Sequence, residues 1–464
     1  MNPPIDAPAL LASLARLLDG AAGRRRLVSV TAPVELSDPS AAVFASRLAG
    51  DRWTCWEQPE QEGFALAALG SAHEVVSRGP ERFADVATAC ARVIRGRLAE
   101  EPDDLPAGAG PVWTGGFGFA PEGGRRPHWS SFPPALMVLP ELALRRSGER
   151  TLLTLCAISG PDDGATLDRI RGRLASLRAE PLPLPDPHPT GAAAIESVEP
   201  PEHFEEAVEA AVGRIRDEEL EKVVLAREVR VDAPTAFDPA AVFGALRELF
   251  PACFCFCAGS PEGAFLGASP ELLVRRRGAG AATVALAGSS RRSADPSVDD
   301  HLGEQLRQSP KNRSEHAIVV RRIESSLAPH AVWVEAEREP GLVKVANIQH
   351  LATPIHAQLV ESRSAIELAG LLHPTPAVGG EPRDTALAVI DDLEQMDRGW
   401  YAGPVGWMDA VEDGEFCVGI RAALLRDRTA HLYAGNGIVA DSDPADELAE
   451  TELKLDALLP LLVG

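Results

Sequence analysis

Two ionisable side chains stand where apolar, strand-like segments begin. Lys222 opens the alternating run KVVLAREVRV, and Glu271 opens an apolar run directly after Ser269 and Pro270. A lysine that enters an apolar strand loses hydration, which favours its uncharged form, and an uncharged lysine can act as a general base. A carboxyl group in similar surroundings can stay protonated and act as an acid. The alternative for both residues is a strand end that faces water.

Glu315 lies on the apolar stripe of a helix predicted at 311–328. Val319, Ile323 and Leu327 follow it at intervals of four residues, so the four side chains share one face. A carboxylate on a buried stripe requires a cation beside it. The alternative is that Glu315 sits where the stripe reaches the surface and pairs there with an arginine or a lysine.

A helix predicted at 445–459 carries a further pair of carboxylates. Glu447, Glu450 and Lys454 are spaced i, i+3 and i+7, which places them on one face. Two carboxylates from this helix and a third from elsewhere suit a hard, oxygen-seeking cation such as Mg²⁺. A solvated, salt-bridged helix surface is the alternative explanation of the same spacing.

A glycine-rich turn, YAGNGIV at 433–439, precedes that helix. Glycines let the backbone come close to a ligand, and exposed N–H groups favour an anion. The sequence has no dinucleotide or P-loop fingerprint, no G-x-S-x-G elbow and no H-E-x-x-H pair. The sequence therefore gives no indication of a nucleotide-binding protein, a hydrolase with a nucleophile elbow or a zinc metalloprotease.

Strand-like and helical segments do not alternate strictly along the chain. Strands are predicted at 136–145, 151–158, 222–231, 253–258, 263–268, 271–277, 403–409, 415–426 and 430–434. Helices are predicted at 9–18, 83–99, 164–178, 202–219, 237–248, 299–307, 311–328, 364–371, 384–393 and 445–459. Glycine- and proline-rich stretches near 103–128 are predicted to be loops. The order predicts an α+β fold with large, mostly antiparallel sheets instead of a doubly wound parallel sheet.

The charge balance excludes some partners. With 45 Lys and Arg against 68 Asp and Glu, the formal net charge is −23, which repels nucleic acid and anionic membrane surfaces. No uncharged apolar run reaches about 18 residues, so no transmembrane helix is predicted. The N-terminal segment lacks the basic region of a signal peptide. We therefore expect a cytoplasmic protein without nucleic-acid or membrane partners.

Seven cysteines fit a reducing compartment, since their number is odd and most are isolated. Cys253, Cys255 and Cys257 would share one face of a strand. A metal site is one interpretation, but the spacing is not that of a zinc finger. Small buried apolar side chains are the favoured interpretation.

A composition shift at 180–200 suggests a boundary between the two halves. Five prolines between 181 and 189 indicate an extended, semi-rigid connection. On this evidence the chain divides into an N-terminal part, 1–190, and a C-terminal part, 191–464, which carries all the candidate chemistry.

The second half resembles the chorismate-binding enzymes, which include isochorismate, salicylate, anthranilate and aminodeoxychorismate synthases. The resemblance is carried, in order, by KVVLAR at 222–227, FLGASPELLV at 265–274, LAGSSRR at 286–292, NRSEH at 312–316, NIQHLATP at 347–354, LHPTPAVGG at 372–380, GIR at 419–421, AGNGIV at 434–439 and ELAETELK at 447–454. The first half matches loosely, through GGFGF at 115–119 and FPPALMVLP at 132–140. The resemblance implies one fold of two large sheets with surrounding helices, in which the proline-rich boundary is a loop within a single domain.

The resemblance also implies roles for individual residues. Lys222 matches the base that activates water for attack at ring carbon C2, and Glu271 matches the acid that protonates the departing C4 hydroxyl. The Mg²⁺ ligands are matched by Glu315 and Glu450, with Glu447 nearby through water. The substrate-holding positions are matched by Gly288, Ser289, His373, Thr375, Arg421, Gly435 and Lys454. The implied cofactor is Mg²⁺ and the implied substrate is chorismate.

Several features favour the isochorismate branch. Lys222 favours water as the nucleophile, and 373–380 (HPTPAVGG) looks like the isochorismate version of that segment. Aminating relatives usually read GAPK where this chain has GEPR at 380–383. Salicylate synthases, which go on to eliminate pyruvate, are the nearest alternative. An aminating subunit with an amidotransferase partner and a non-catalytic chorismate-binding protein are the others.

Two residues depart from the common family pattern. Asn436 stands where many members have Ala, and Gly419 stands where Thr is common; both are expected to alter contacts to the ring. The resemblance leaves menaquinone and siderophore synthesis open as the pathway. We expect a monomer, with a weak homodimer as the alternative.

Overall fold

A computed structural model describes residues 6–21, 23–184, 191–345 and 348–463. The strands are β1 Leu27–Val34, β2 Trp53–Gln58, β3 Phe64–Leu69, β4 His73–Ser77, β5 Leu98–Glu100, β6 Val112–Phe117, β7 Ala135–Leu139, β8 Leu142–Ser147, β9 Arg150–Ile158, β10 Ala194–Ser197, β11 Lys222–Asp232, β12 Phe254–Ser260, β13 Gly263–Ser269, β14 Leu272–Arg277, β15 Gly280–Arg291, β16 Ala331–Ala336, β17 Gly341–Lys344, β18 Ile348–Leu359, β19 Gly380–Glu381, β20 Pro404–Asp409, β21 Gly414–Val418, β22 Ala422–Arg426 and β23 Thr429–Ile438.

The helices surround these strands. They are α1 Ala7–Gly20, α2 Pro39–Ser46, α3 Arg82–Ile94, α4 Asp163–Ser176, α5 Pro201–Arg216, α6 Pro239–Leu249, α7 Pro296–Gln308, α8 Pro310–Leu327, α9 Ala365–Leu372, α10 Arg383–Glu394, α11 Pro444–Leu455 and α12 Leu459–Val463. Short 3₁₀ turns lie at Pro127–Trp129 and Ala328–His330. Among the described residues, every helix is too short or too polar to cross a lipid bilayer.

Two large sheets form the framework. The 13-stranded sheet has the order β10-β11-β23-β22-β13-β12-β2-β3-β8-β9-β1-β5, with β19 paired to β11. The 10-stranded sheet has the order β16-β18-β15-β14-β21-β20-β6-β7-β4, with β17 paired to β18. The strand pairs are antiparallel except β1 with β5. The predicted α+β class with two mostly antiparallel sheets is confirmed.

The main core lies between the two sheets. It contains Trp56 and Phe265 from the 13-stranded sheet and Trp113 and Phe117 from the 10-stranded sheet, all buried. Strand β12 shows how alternation divides the core, because Phe254 and Phe256 face this layer while Cys255 and Cys257 face the opposite side, towards helix α6. Two smaller clusters cover the outer face of the larger sheet.

The cysteine prediction is confirmed. All seven cysteines are buried free thiols, and Cys253, Cys255 and Cys257 belong to the same outer cluster. Within the described chain, no cysteine takes part in a group with metal-binding geometry. These thiols are packing residues, and burial raises the pKa of Cys253 to about 12.

Two of the points at which the chain passes from one sheet to the other lie side by side. Strand β13 belongs to the larger sheet and β14 to the smaller, with Glu271 between them; β21 belongs to the smaller sheet and β22 to the larger, with Arg421 between them. The two passages are joined by backbone hydrogen bonds from Val418 N–H to Glu271 O (3.0 Å) and from Ala268 N–H to Arg421 O (3.1 Å). Any group on either passage therefore lies where the sheets meet.

These passages correct one sequence prediction. The run 415–426 was predicted as one strand, but Gly419–Arg421 carries the chain from one sheet to the other. Arg421 has a φ of +51°, outside the strand region. The run 136–145 is likewise two strands in different sheets, because Pro140 lacks the N–H that a continuous strand requires.

Other predicted bounds also differ. The helix predicted at 83–99 ends at Ile94, where Gly96 turns the chain with a φ of +74° into β5. The helix predicted at 445–459 divides into α11 and α12. The segment 103–128, predicted as loops, contains strand β6, which lies in the interior of the smaller sheet. A Cβ at Gly115 would meet Leu136 O at 2.0 Å, so glycine marks close backbone packing there.

The division at residue 190 stays a prediction. Residues 185–190 of the proline-rich segment lie outside the described residues. Strands from both sides of this segment take part in each sheet.

Candidate active site

Lys222 is the first residue of β11 and is held on both sides. Its neighbour Val223 pairs with Ile438 of β23, and Lys222 itself pairs with Glu381 of β19. The side chain is 0% exposed, which excludes the alternative that Lys222 faces water at a strand end. Its Nζ lies 2.8 Å from Glu315 Oε1. An ammonium in such a position can exist only beside a carboxylate.

Glu271 occupies the passage between β13 and β14 and is 4% exposed. Its backbone N–H donates to Ser269 Oγ at 3.2 Å. Burial raises the pKa of the Glu271 carboxyl to about 8, although the nearby charge of Lys222 acts in the opposite direction. Glu271 is therefore mainly a protonated acid at neutral pH and has a proton to donate.

Glu315 lies on the buried face of α8, as predicted, and its row partners Val319, Ile323 and Leu327 are buried. The contact with Lys222 depends on Gly437 of β23. A Cβ at Gly437 would meet Glu315 Oε1 at 2.2 Å and Lys222 Cε at 2.7 Å. The absence of a side chain at position 437 thus makes room for the ion pair.

Helix α11 brings two more carboxylates to the same place. Asp443 caps it by accepting from Ala445 and Asp446 N–H, with Pro444 in the first turn. Glu447 is 3% exposed; it accepts from Ser442 Oγ at 2.7 Å and pairs with Lys311 at 3.0 Å. The alternative interpretation, in which this face of the helix is a solvated, salt-bridged surface, is therefore excluded.

Glu450 is the most acidic group of the site. It accepts from Ser289 Oγ at 2.5 Å and pairs with Lys454 Nζ at 2.8 Å. Burial opposes its ionisation, but Lys454 and Ser289 outweigh burial and lower the pKa of Glu450 to about 2. By contrast, burial and the charge of Glu450 raise the pKa of Glu447. The carboxylates of Glu447 and Glu450 are therefore close enough to repel each other.

The three glutamates share a cavity of about 90 Å³ with Glu271 and the loop at 288–289. Their oxygens do not all lie within 4.8 Å of one another, because Lys222 holds Glu315 and Lys311 holds Glu447. An all-oxygen, strongly anionic set of this kind fits the ligand preference of Mg²⁺. Glu315, Glu447 and Glu450 are the residues that could hold it.

Gly288 and Ser289 lie at a register shift in β15. Gly288 has a φ of +74°, and a Cβ there would approach Asn312 at 3.1 Å. This irregular backbone turns the Ser289 hydroxyl towards Glu450, and both residues line the cavity.

Arg421 reaches the cavity from the second passage, and His350 holds its guanidinium. The Arg421 NH2 group donates to His350 Nε2 at 3.3 Å, and His350 Nδ1 donates to Gly288 O at 3.3 Å. Burial and the charge of Arg421 lower the pKa of His350 to about 3, so the imidazole is neutral. Sequence analysis assigned His350 no role, although it lies in the quoted segment 347–354.

Lys454 lies over the glycine-rich strand β23. Its Nζ donates to Gly435 O at 3.0 Å and to Asn436 Oδ1 at 2.7 Å. Gly435, Lys454 and Arg421 all line the cavity. A Cβ at Gly435 would meet Leu225 O at 2.8 Å, so this position is packed against β11.

Asn436 does not line the cavity, contrary to expectation. Its Nδ2 donates to Glu447 O at 2.6 Å and to Glu447 Oε2 at 3.1 Å. Together with Lys454, these contacts fasten both ends of α11 to β23. Gly419 is also outside the cavity lining; a Cβ there would meet Trp400 O at 2.9 Å.

His373 and Thr375 are not among the cavity-lining residues either. His373 is buried, with Nε2 donating to Phe119 O at 3.0 Å, and burial lowers its pKa to about 3. Thr375 O accepts from Val378 N–H at 3.1 Å, and Val378 lines the cavity. Thr375 therefore supports the wall from outside, whereas His373 is held by Phe119, which does not line the cavity.

Arg398 is a further lining residue without a predicted role. Its guanidinium pairs with buried Glu394 and donates to Val224 O at 2.8 Å and Val378 O at 2.9 Å. Glu394 in turn accepts from Ala226 N–H at 2.7 Å. The pair fixes β11 just beyond Lys222. In the sequence, only the i, i+4 spacing of the opposite charges Glu394 and Arg398 could have indicated this ion pair.

Comparison with known proteins identifies the family of this chain. The chorismate binding enzyme family matches residues 13–463. The salicylate biosynthesis isochorismate synthase of Pseudomonas aeruginosa is 38% identical over 455 residues, which cover 97% of this chain and 93% of that protein. The isochorismate synthase MenF of Bacillus subtilis is 35% identical over 452 residues, 94% of each chain.

A solved structure shows the same fold. The structure of MenF, the menaquinone-specific isochorismate synthase of Escherichia coli, superposes with a TM-score of 0.80 at 27% identity, covering 98% of this chain and 100% of that one. The family match over nearly the whole chain, the relatives at 38% and 35% identity and the shared two-sheet fold lead to one conclusion: this chain belongs to the chorismate-binding enzyme family.

Proposed function

We propose that the protein is an isochorismate synthase that converts chorismate to isochorismate with Mg²⁺ as cofactor. The observation that carries the proposal is that buried Lys222 acts electrostatically on a protonated Glu271, which lines an anionic cavity suited to a cation. The names of the two relatives described above support the same reaction.

The reaction needs one base and one acid. Lys222 in its uncharged form accepts a proton from water as the oxygen attacks ring carbon C2. Glu271 gives its proton to the C4 hydroxyl, which leaves as water while the double bonds shift. One water enters and one leaves, so the net change is an isomerisation.

The remaining residues hold a dianion in a protein of net charge −23. Arg421 and Lys454 supply positive charge to its carboxylates, and the backbone at Gly435 and Gly288 permits close approach. When bound by Glu315, Glu447 and Glu450, Mg²⁺ supplies the charge that neutralises the ring carboxylate.

A product assay tests the proposal. Purified protein is incubated with chorismate, with and without Mg²⁺, and isochorismate, salicylate and pyruvate are separated and quantified. We expect isochorismate only with Mg²⁺. Salicylate and pyruvate as main products would favour the salicylate synthase alternative, an ammonium-dependent product would favour the aminating alternative, and binding without turnover would leave only a chorismate-binding protein.

The raised pKa of Glu271 predicts an alkaline limb in the pH–rate profile, in which the rate falls as pH rises. The carboxyl is protonated below pH 8 and loses its proton above it, so the rate should fall as pH rises through about 8. Glu271→Gln should remove this limb and lower kcat by about 10²–10⁴-fold. Glu335→Gln, on exposed strand β16, is the control. An alkaline limb that persists in Glu271→Gln would exclude this role.

Asn436→Ala tests the fastening of α11. Loss of its contacts to Glu447 and Lys454 should raise the Mg²⁺ concentration needed for half-maximal rate and the KM for chorismate several-fold, with a smaller change in kcat. Unfolding free energy should fall by about 1–3 kcal/mol. Thr429→Ala removes a hydrogen bond at the far end of β23 and should leave both constants unchanged. Equal losses in the two variants would contradict the assignment.

A further inference from the structure

The residues that line a second cavity, of about 210 Å³, include two histidines and a glutamate whose donor atoms lie close together. Glu228 and His431 come from the paired strands β11 and β23, and His128 comes from the 3₁₀ turn at Pro127–Trp129. One donor atom from each of the three residues lies within 4.8 Å of the others. We call them the His–Glu cluster.

The strand register places two of the donors together. Glu228 pairs with Tyr433, and His431 lies two residues before Tyr433 on the same face of β23. The His431 Nδ1 atom lies 2.7 Å from Glu228 Oε1, as a hydrogen bond. A cation that replaces the bridging proton would find both atoms already in contact.

The third donor is held in place independently. Arg426 donates to Pro127 O at 2.7 Å and to His128 O at 3.0 Å. The His128 ring stacks on His431 with centroids 4.2 Å apart and planes 20° apart, and its Nε2 lies 3.3 Å from Tyr433 OH. Hydrogen bonds of this kind orient metal-binding imidazoles in known sites.

The immediate surroundings also favour a cation over a purely structural cluster. Of the three arginines that line the cavity, Arg230 pairs with Glu196 at 2.5 Å and Asp232 at 2.9 Å, and Arg227 pairs with Glu452. The third, Arg126, adds positive charge near His128. His203 Nε2, which lines the same cavity, is buried without a hydrogen-bond partner. The cavity therefore offers polar atoms and space next to the three donors.

We propose that His128, Glu228 and His431 bind a transition-metal dication such as Zn²⁺, at a site separate from the all-oxygen carboxylate site. Two imidazoles and one carboxylate are the donors that Zn²⁺ accepts, and three protein ligands leave a position open to the cavity. Mg²⁺ prefers oxygen ligands and usually keeps its water, so the two sites select different ions.

Cobalt provides a spectroscopic probe. Metal-free full-length protein is saturated with Mg²⁺ and titrated with Co²⁺, whose visible absorption reports nitrogen ligands, and Zn²⁺ is then added in competition. We expect one equivalent of Co²⁺ to bind in the presence of excess Mg²⁺ and Zn²⁺ to displace it. His128→Ala and His431→Ala should each weaken binding at least tenfold, and the shape-conserving Glu228→Gln should weaken it as well.

Two control variants make the result decisive. His356→Ala removes an exposed histidine on β18 and should leave Co²⁺ binding unchanged. Glu315→Gln should also leave it unchanged, which separates this site from the proposed Mg²⁺ function. Absence of visible absorption, equal binding in all the histidine variants, or loss of Co²⁺ binding in Glu315→Gln would each overturn the proposal.

Discussion

Lys222→Ala should abolish water addition to chorismate, with a fall in kcat of about 10²–10⁴-fold, the range that a positioned general base contributes. The amine is the only basic group paired with Glu315 in a fully buried position among the described residues. When it carries a proton, Lys222 opposes protonation of Glu271, and the substitution removes this effect. The pKa of Glu271 should therefore rise further, and the alkaline limb of any residual activity should move to higher pH.

The control for this variant is Lys344→Ala. Lys344 pairs with Asp299 and Asp300, none of these three residues lines the cavity, and the variant should be catalytically silent. Because an unpaired buried carboxylate destabilises a fold by about 3–5 kcal/mol, circular dichroism and thermal unfolding must accompany the rate measurement. A folded Lys222→Ala protein with full activity would remove Lys222 from the mechanism.

Gly437→Ala should be nearly as damaging although it adds a single methyl group. The new Cβ would lie 2.2 Å from Glu315 Oε1 and 2.7 Å from Lys222 Cε, so the base and the carboxylate must separate. We expect kcat/KM for chorismate to fall by about 10²-fold, the cost that a displacement of about 1 Å can carry. The overpacking should lower the unfolding free energy by about 1–3 kcal/mol.

Gly213→Ala is the matched glycine control. Gly213 lies in α5, and its Cβ would meet nothing within 4 Å. Alanine there should keep full activity and stabilise the protein by about 0.5–1 kcal/mol, because glycine is costly in a helix interior. If Gly437→Ala retains wild-type kcat/KM, the Lys222–Glu315 contact is not required for turnover.

The main features of the site could be predicted because each segment has a strong local signal. The four-residue spacing from Glu315 to Leu327 predicts which face of α8 is buried, and Asp443 with Pro444 marks the start of α11. Residue types alone could not decide whether Lys222 is buried or solvated. That depended on β19 and β23 pairing with β11, which local patterns do not contain.

The remaining residues escaped prediction because their roles arise from long-range contacts. His350 connects Arg421 to Gly288 across positions widely separated in sequence, and Lys311 meets Glu447 from another helix. The single strand predicted at 415–426 failed for a similar reason. Its apolar alternation continues through Gly419–Arg421, while the partner strands before and after belong to different sheets.

The two side-by-side passages between the sheets have a consequence for protein engineering. Glu271 and Arg421 sit on those passages, whereas Lys222 belongs to the larger sheet alone. In chimeric proteins built from two relatives, a junction at 269–272 or 418–421 would take neighbouring strands of both sheets from different parents and would misplace these side chains relative to one another. Exchanges that keep both passages and β11 from one parent should preserve turnover far better than those that divide them.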